Sequence, residues 1–534
     1  MGTGTIESEQ YFYMGKALNT NKVVTPEIDK SGALIEQVEA IRLVANAGLD
    51  ESRRSQLGQF MTPPPVARLM AEMFDDLSGD IHLLDAGAGV GSLTAALVEE
   101  VRSRNMPADS ITTNAYELEP FLIPCLEETK LLCKTACKQV GIPFSSKVFH
   151  RDFIEEATSM LRGDLFSRRI QPRFNKAILN PPYHKINSNS KTRELLRSVG
   201  IETSNLYTAF LALAIKLLEV DGELVAITPR SFCNGPYFKP FRKLLLGEMT
   251  ITHIHIFHAR NKAFKGDDVL QENIIFHAVK NRASCSILIS SSACADDSGV
   301  DRRRVDQCDV INPDDPDLFI HIPTGGADDN AALLVRGLPA TLENLGVQVS
   351  TGRVVDFRSK GSLRKKPGKM TAPLIYPAHF EDGFIAWPKL GGRKANAIAD
   401  TSETSTLLVP RGIYVLVKRF SSKEERRRVV AAIYDPRRID ADRIGFENHL
   451  NYFHVCGDGL TMNLAKGLAL FLNSTVVDQY FRQFSGHTQV NATDLRSLRY
   501  PSAEQLKRLG NRVKNKMPDQ AHIDAIIKEA LFTG

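Results

Sequence analysis

The chain has 534 residues, of which 43% are hydrophobic and 24% are charged, and this excludes a short peptide scaffold, a fibrous protein and a largely disordered chain. Eight unevenly spaced cysteines are too few for a disulfide framework, and the sequence has neither a long apolar run nor a secretory leader, so we expect a cytoplasmic protein with free thiols and no membrane contact. The net charge of +5 hides an asymmetry, because residues 351–534 carry 30 Lys and Arg against 18 Asp and Glu, a balance of +12 that leaves −7 for residues 1–350.

The predicted elements divide the chain into four segments. Apolar residues at helical spacing in residues 32–49 indicate an amphipathic helix, so residues 1–55 are predicted to be a helical extension. Short apolar strands then alternate with helices, which predicts an α/β domain at residues 56–285 with a doubly wound, mostly parallel sheet and helices on both faces. Small and charged residues without periodicity predict a loop at 286–307, within a linker at 286–345. A separate α+β domain is expected at residues 346–534.

A glycine-rich turn follows the first strong strand and contains Asp85, Gly87, Gly89 and Gly91. Glycine allows a tight turn and close approach of the backbone to a ligand at the carboxyl end of a strand, where open α/β sheets bind ligands. Ser92 stands where an NAD fingerprint needs glycine, and the turn lacks a P-loop lysine. An acidic strand end suits a cationic ligand better than a pyrophosphate, and S-adenosylmethionine is such a ligand.

Acidic residues also follow the next two predicted strands. Glu117 is placed to accept hydrogen bonds from ribose hydroxyls, and Asp152 to accept from the adenine amino group while Phe153 packs on the ring. A generic strand-to-helix turn is the alternative interpretation of the glycines alone. The two further acidic positions favour a cofactor site.

The motif Asn180-Pro181-Pro182-Tyr183 directly follows the predicted fourth strand. Two prolines end strand pairing and stiffen the turn, so Asn180 and Tyr183 project beside the glycine turn. An amine conjugated to a nucleobase is a poor nucleophile, and hydrogen bonds from its N–H groups to the Asn180 side-chain oxygen and the Pro181 carbonyl would turn its lone pair toward a methyl donor. Tyr183 offers a face on which an extruded base could stack. A purely structural Asn-Pro turn is the alternative.

Clusters of basic residues with interleaved aromatics in the last third suit a polyanion. Each cluster alone could be a solvated loop face. The candidate DNA contacts are Lys418, Arg419, Arg426, Arg427 and Arg428, and a further basic run comprises Arg364, Lys365, Lys366 and Lys369.

In the order and spacing of the glycine turn and the Asn180 to Tyr183 motif, the chain resembles the N6-adenine DNA methyltransferases of bacterial type II restriction-modification systems, in the gamma arrangement with the recognition domain last. The resemblance implies a Rossmann-like S-adenosylmethionine-dependent catalytic domain and a C-terminal target-recognition domain. It implies transfer of a methyl group to N6 of adenine in a short duplex sequence. That modification would protect host DNA from a restriction endonuclease that shares the site without forming a stable complex.

The resemblance extends to segments outside the two motifs. Residues 58–67 resemble the family motif in which a threonine, here Thr62, holds the cofactor carboxylate, although helix capping alone is the alternative. Residues 263–269 resemble the segment whose phenylalanine, here Phe264, packs on the extruded adenine, and a core phenylalanine is equally compatible. Residues 350–355 and 486–491 resemble recognition-domain segments.

Rival chemistries fit less well. Cys125 comes too early to be the nucleophile of a C5-cytosine methyltransferase, and Cys133 and Cys137, one helical turn apart, lack further ligands with zinc-like spacing, so no metal site is expected. The alternating His253, His255 and His258 are interpreted as polar-face residues. The remaining alternatives are an N4-cytosine, RNA or protein-glutamine methyltransferase, and a non-catalytic DNA specificity subunit.

Overall fold

The computed structural model describes residues 33–49, 61–104, 108–162, 174–257, 272–297, 299–313, 315–323, 327–421, 426–484 and 489–532. The chain divides into two compact units, Met1–Pro313 and Asp314–Gly534, and the division lies inside the segment 286–345 that the sequence designates as a linker. None of the helices in these ranges is long and apolar enough to cross a membrane.

The first unit is built on a nine-stranded sheet with the order β3-β2-β1-β4-β5-β7-β6-β8-β9. Its strands are β1 (Gly79–Ala86), β2 (Ala108–Glu117), β3 (Phe144–His150), β4 (Phe174–Leu179), β5 (Leu218–Pro229), β6 (Met249–Phe257), β7 (Asn273–Lys280), β8 (Ser286–Ser292) and β9 (Asp301–Asp306). Strands β1 to β5 pair in parallel, whereas β7 runs antiparallel between β5 and β6. The predicted doubly wound, mostly parallel sheet is therefore confirmed.

The helices of the first unit precede, connect or follow these strands. They are α1 (Leu34–Gly48), α2 (Pro64–Glu72), α3 (Ser92–Ser103), α4 (Ile123–Gln139), α5 (Phe153–Arg162), α6 (Lys191–Ser198), α7 (Leu206–Leu217), α8 (Lys239–Glu248) and the short α9 (Gln307–Val310). Apolar residues of α1, α2 and α3 pack with β1 in one buried cluster. Because β2 lies on one side of β1 and β4 on the other, the chain reverses its winding direction at β1, and this creates a crevice at the carboxyl ends of these strands.

The segment 286–307 differs from the prediction. It forms β8 and β9 and extends the sheet, so the prediction of a loop is wrong there. The serines of β8 are satisfied by histidines of β6: the Ser290 hydroxyl is 2.7 Å from His253 Nε2 and 2.8 Å from His255 Nδ1. Hydrogen bonding across strands stabilises a serine-rich segment that has little strand signal of its own. His258 lies outside the described residues.

The second unit contains two smaller sheets and a helical cluster, so the predicted α+β region is confirmed. One sheet has the order β10-β20-β17-β18-β14-β13, and the other β11-β15-β12-β19-β16. The strands are β10 (Gln348–Thr351), β11 (Leu363–Arg364), β12 (Thr371–Ile375), β13 (Phe380–Glu381), β14 (Phe384–Ile385), β15 (Ala397–Ala399), β16 (Leu408–Pro410), β17 (Tyr414–Lys418), β18 (Ala431–Tyr434), β19 (Arg443–Phe446) and β20 (Leu450–His454). The helices are α10 (Ala327–Arg336), α11 (Met462–Leu472), α12 (Thr475–Phe484), α13 (Ala492–Ser497), α14 (Ala503–Asn511) and α15 (Gln520–Leu531).

Candidate active site

The glycine turn joins β1 to α3 in a conformation that requires glycine. Gly87, Gly89 and Gly91 have φ angles of +76°, +57° and +85°, in the left-handed region that other residues rarely adopt. At Gly91 a Cβ would lie 2.9 Å from Leu126 Cδ1, so this glycine also allows α3 to pack closely on α4. Gly87 and Gly89 leave the other side of the turn open.

A cavity of about 260 Å³ lies at this edge of the sheet. Of the residues singled out in the sequence, its lining includes Thr62, Gly87, Gly89, Glu117, Asp152, Phe153, Asn180 and Pro182. These residues come from five separate segments of the chain. The fold thus brings most of the predicted cofactor residues and the Asn-Pro-Pro-Tyr motif to one cavity.

Glu117 is buried at the end of β2 and is held by backbone N–H groups. Its Oε2 accepts from the Gly89 N–H at 2.8 Å, and its Oε1 accepts from the Glu119 N–H at 2.7 Å. Burial raises the pKa of the Glu117 carboxyl. The side chain thus fixes the glycine turn and also lines the cavity, where its oxygens can accept from hydroxyl groups.

Asp85 lies behind the turn, and it is not among the residues that line the cavity. It is 0% exposed, its Oδ2 accepts from the Thr94 hydroxyl at 2.6 Å, and burial raises its pKa to about 7. The Oδ1 atom is buried with no hydrogen-bond partner in the described part of the chain. A carboxylate oxygen in that state favours a nearby positive charge.

Asp152 and Phe153 form the start of α5. The Asp152 Oδ1 accepts from the Ile154 N–H at 2.7 Å, as a helix-capping side chain does. The buried Phe153 ring lies 5.3 Å from the Tyr116 ring and 5.1 Å from the Phe210 ring, measured between centroids. This part of the cavity therefore combines an apolar aromatic wall with a carboxylate, which suits a heterocycle that carries an amino group.

Asn180 is oriented by a residue far away in the sequence. Its Nδ2 donates to Thr62 Oγ1 at 3.0 Å, and its Oδ1 accepts from the Tyr183 hydroxyl at 3.3 Å. Burial of that hydroxyl raises the Tyr183 pKa well above its usual value, so the phenol is neutral. The Tyr183 ring is partly exposed and stands edge-on to Tyr207, with centroids 6.1 Å apart.

Several residues of the cavity wall carry no signal in the sequence. Met61, Tyr116, Leu206 and Phe210 line it, and Tyr207 supports Tyr183. Leu206, Tyr207 and Phe210 belong to the strongly apolar helix α7, which is buried almost throughout. Nothing in such a pattern distinguishes a wall residue from a core residue.

Some predicted residues fall outside the part of the chain that the structure describes. Phe264 and residues 58–60 and 486–488 lie outside the described residues. The rest of the two predicted recognition segments meets at β20: the Thr351 hydroxyl donates to Asn451 Oδ1 at 3.1 Å, and Asn451 Nδ2 donates to the Val490 carbonyl at 2.7 Å.

The predicted basic contacts differ in exposure. Arg426 is exposed, Arg427 is half-buried, and Arg428 is 0% exposed and donates to the Ser421 carbonyl. The prediction that Arg428 contacts a polyanion is therefore corrected, because its guanidinium has no free surface. Lys418 is partly exposed, and Arg419 donates to Gln489 Oε1 at 3.3 Å.

Comparisons with known proteins agree with this geometry. Residues 138–264 match the family model described as Eco57I restriction-modification methylase. The chain is 47% identical to the type II methyltransferase M.PstI of Providencia stuartii over 495 residues, which cover 92% of this chain and 96% of that protein. It is 44% identical to the type II methyltransferase M.BsuBI of Bacillus subtilis over 506 residues, which cover 93% and 98%. The fold is similar to that of the type IIL restriction-modification enzyme MmeI, solved in complex with DNA, with a TM-score of 0.57, 12% identity and coverage of 93% and 79%.

Proposed function

This chain belongs to the type II DNA methyltransferases of restriction-modification systems, and on that premise we propose that it transfers a methyl group from S-adenosylmethionine to N6 of adenine in a short duplex sequence. The observation that carries the proposal is the meeting of the Asn180 motif with the glycine turn and Glu117 around one cavity. The modification would protect host DNA from a restriction endonuclease that reads the same sequence.

The cavity suits S-adenosylmethionine in charge and in shape. The Glu117 carboxylate would accept from the ribose hydroxyls, and the wall that includes Phe153 would hold the adenine, with Asp152 near its amino group. The unpartnered Oδ1 of Asp85 would favour the positive charge of the cofactor. The chemistry that the bound cofactor supplies is a methyl group on a sulfonium.

Asn180 and Pro181 would position the target amine. The Asn180 amide is turned so that Nδ2 donates to Thr62, and this directs Oδ1 to the role of acceptor. An acceptor there and at the Pro181 carbonyl would favour a pyramidal nitrogen whose lone pair faces the donor. The amide oxygen can accept from the Tyr183 hydroxyl and from the substrate together, since a carbonyl oxygen has two lone pairs.

Tyr183 would stack on the extruded base. A paired adenine hides its amino group in the duplex, so the base must leave the helix before it can react. The neutral, partly exposed Tyr183 ring, supported edge-on by Tyr207, offers an aromatic face beside Asn180. Phe264 is proposed as a second stacking residue from the family resemblance.

The second unit would read the DNA sequence. It carries the basic excess of the chain and the two recognition segments that meet at β20. Lys418, Arg419 and Arg426 remain proposed DNA contacts. Arg427 is a weaker candidate, because its side chain is half-buried.

The test is an incubation of the enzyme with labelled cofactor and unmethylated genomic DNA, followed by nucleoside analysis and sequencing of the modified positions. We expect label in N6-methyladenine within one short sequence. Asn180→Ala should abolish transfer while cofactor binding persists, and Asn189→Ala, an exposed asparagine outside the cavity, should transfer at the wild-type rate. Label in N4-methylcytosine, or full transfer by Asn180→Ala, would reject the proposal.

A further inference from the structure

Two exposed basic loops lie side by side in the second unit. Residues 364–370 begin with the last residue of β11 and residues 388–394 precede β15, and every residue in both loops is exposed. Neither loop contains an acidic residue. Their seven cations are Arg364, Lys365, Lys366, Lys369, Lys389, Arg393 and Lys394.

A single buried asparagine holds the two loops together. Asn396 is 3% exposed, and its Nδ2 donates to the Lys365 carbonyl at 3.1 Å and to the Lys389 carbonyl at 3.0 Å. Its Oδ1 accepts from the Lys389 N–H at 2.8 Å. A buried amide that is satisfied on both sides fixes the loops relative to each other, so their charges form one surface, which we name the paired basic loops.

Much of the charge on the paired basic loops is not neutralised by the protein. Lys394 pairs with Asp356 at 2.7 Å and Lys389 with Glu381 at 3.2 Å. Lys366, Lys369 and Arg393 form no ion pair with any residue that the structure describes. Like charges held together in this way repel one another, and a polyanion would relieve that repulsion.

Apolar side chains project from the same loops. Met370 is 75% exposed and Leu390 is 65% exposed. Met370 also has a φ angle of +59°, which is unfavourable for a residue with a side chain. Backbone strain at an exposed residue is typical of functional sites, and apolar side chains beside cations are suited to a nucleic-acid groove, where they contact base methyl groups or base edges.

We propose that the paired basic loops bind duplex DNA, with Lys366, Lys369 and Arg393 on phosphates and Met370 in a groove. This inference rests on the proposed function, because it takes the DNA substrate as given. It assigns DNA contact to a surface distinct from Lys418, Arg419 and Arg426, and it makes Asn396 the residue that positions the surface.

The first test is the salt dependence of DNA affinity. We would measure binding of a labelled duplex that carries the sequence methylated by the wild-type enzyme, from low to moderate salt. The triple variant Lys366→Ala, Lys369→Ala and Arg393→Ala should lower the slope of log affinity against log salt by roughly 2.7, about 0.9 for each phosphate contact. The control variant Lys134→Ala, Lys138→Ala and Lys147→Ala removes three exposed cations from the first unit and should keep the wild-type slope.

The second test uses Met370→Gly, which leaves all seven cations of the paired basic loops in place. Glycine relieves the backbone strain, so the variant should be at least as stable as the wild type in thermal unfolding. Its affinity for a duplex that carries the target sequence should fall by about tenfold, and the slope of log affinity against log salt should stay unchanged.

The outcomes separate this inference from the proposed function. A wild-type slope in the triple variant, or wild-type affinity in Met370→Gly, would overturn the corresponding contact while the wild-type enzyme still methylates DNA. Failure of the wild-type enzyme to methylate adenine would instead reject the proposed function. Cofactor affinity should be unchanged in all variants, which checks that the first unit is intact.

Discussion

Thr62 and Asn180 are separated by 118 positions in the chain and meet through one hydrogen bond of 3.0 Å. The resemblance to known methyltransferases assigns Thr62 to the cofactor carboxylate, whereas in the structure its hydroxyl contacts the side-chain amide of Asn180. Because an amide can turn about its Cβ–Cγ bond, the threonine hydroxyl decides which atom of Asn180 faces the target. We therefore propose that Thr62 positions Asn180 for the transfer step.

Thr62→Val removes this acceptor and preserves the shape of the side chain. We expect kcat to fall by about tenfold to a hundredfold, since small errors in orientation are costly at a reacting centre, with the cofactor dissociation constant nearly unchanged. Thr62→Ser, which restores the hydroxyl, should recover most of the rate. A large rise in the cofactor dissociation constant with a normal kcat would indicate that Thr62 acts on the cofactor instead.

Asp85 offers a second prediction at this scale. Its pKa of about 7 in the folded protein is higher than the ordinary value of 3.8, so the folded state binds the proton more tightly and stability falls as the pH rises from 3.8 to 7. Asp85→Asn keeps an acceptor for Thr94 and removes the buried charge. At pH 8 it should raise the free energy of unfolding by roughly 2 kcal/mol and weaken cofactor binding.

Urea unfolding followed by circular dichroism, together with calorimetric titration of the cofactor, checks both effects. A variant that loses stability at pH 8 would show that the Asp85 charge is compensated in the folded protein. Thr94→Val is the matched variant, because it removes the hydrogen bond and leaves the charge.

The residues of this site were predictable to different degrees. Asn180 and the glycines stand in motifs with a chemical reason for every position, so the sequence was sufficient to find them. The Thr62 contact and the aromatic wall depend on long-range packing, which local pattern does not contain. The same limit explains why the prediction for Arg428 was wrong, because three consecutive arginines do not reveal which of them points inward.

At the scale of elements, a buried polar network connects the central strands of the sheet. The Glu223 carboxylate of β5 accepts from Lys176 Nζ of β4 at 2.7 Å and contacts His277 Nε2 of β7 at 2.8 Å. It also accepts from the backbone N–H of Asp75 at 2.7 Å. Burial alone would raise the pKa of Glu223, but His277 and Lys176 outweigh it and lower the value to about 2.

Glu223→Gln should weaken this network, because it leaves the Lys176 charge buried without its carboxylate. We expect the free energy of unfolding at pH 7 to fall by about 3 kcal/mol. A depressed carboxyl pKa stabilises the protein above its ordinary value of 4.5, and that contribution is lost as the pH falls toward 2. The variant should therefore differ less from the wild type in acid than at neutral pH.

Urea unfolding at several pH values, with hydrogen exchange localised to β4 and β5, measures this difference. Glu219→Gln is a suitable control, since Glu219 is exposed on the same strand. Equal stability of Glu223→Gln and the wild type at pH 7 would mean that the network makes no net contribution to the free energy of unfolding.

Strands with short apolar runs, such as Leu83-Leu84 in β1 and Ala177-Ile178-Leu179 in β4, were predictable because burial on both faces of a parallel sheet favours apolar residues at successive positions. Strand β8 was not, because its serines are compatible with a sheet only when the β6 histidines are opposite them. A partner from another strand decides the structure of such a segment, and sequence periodicity does not report it.

At the scale of the whole molecule, the net charge differs between the part of the chain proposed to bind DNA and the part proposed to bind the cofactor. The basic excess lies in residues 351–534, and the acidic remainder includes the cavity lined by Glu117 and Asn180. The alternation of strands and helices in the first unit and the presence of a further α+β region were predictable from periodicity and composition. The uses of individual basic residues were not, because they depend on exposure.

This division predicts different salt responses for the two ligands of one enzyme. DNA affinity should fall by about a thousandfold or more between 50 and 200 mM salt if six or more phosphates are contacted. Cofactor affinity should change by less than about threefold, because a buried site is screened much less than exposed charges are. Parallel titrations of duplex and cofactor at the two concentrations measure both, and equally steep dependences would contradict the division.

Trp387 is the only tryptophan in the chain, and its indole Nε1 donates to the Asn396 carbonyl at 2.6 Å. Its intrinsic emission therefore originates beside the asparagine that joins the paired basic loops. The enzyme carries its own optical probe at this surface, and occupancy of the loops can be followed in real time without attaching a dye. A stopped-flow trace of that emission would separate the proposed docking of DNA on the loops from the proposed later entry of the base into the cavity.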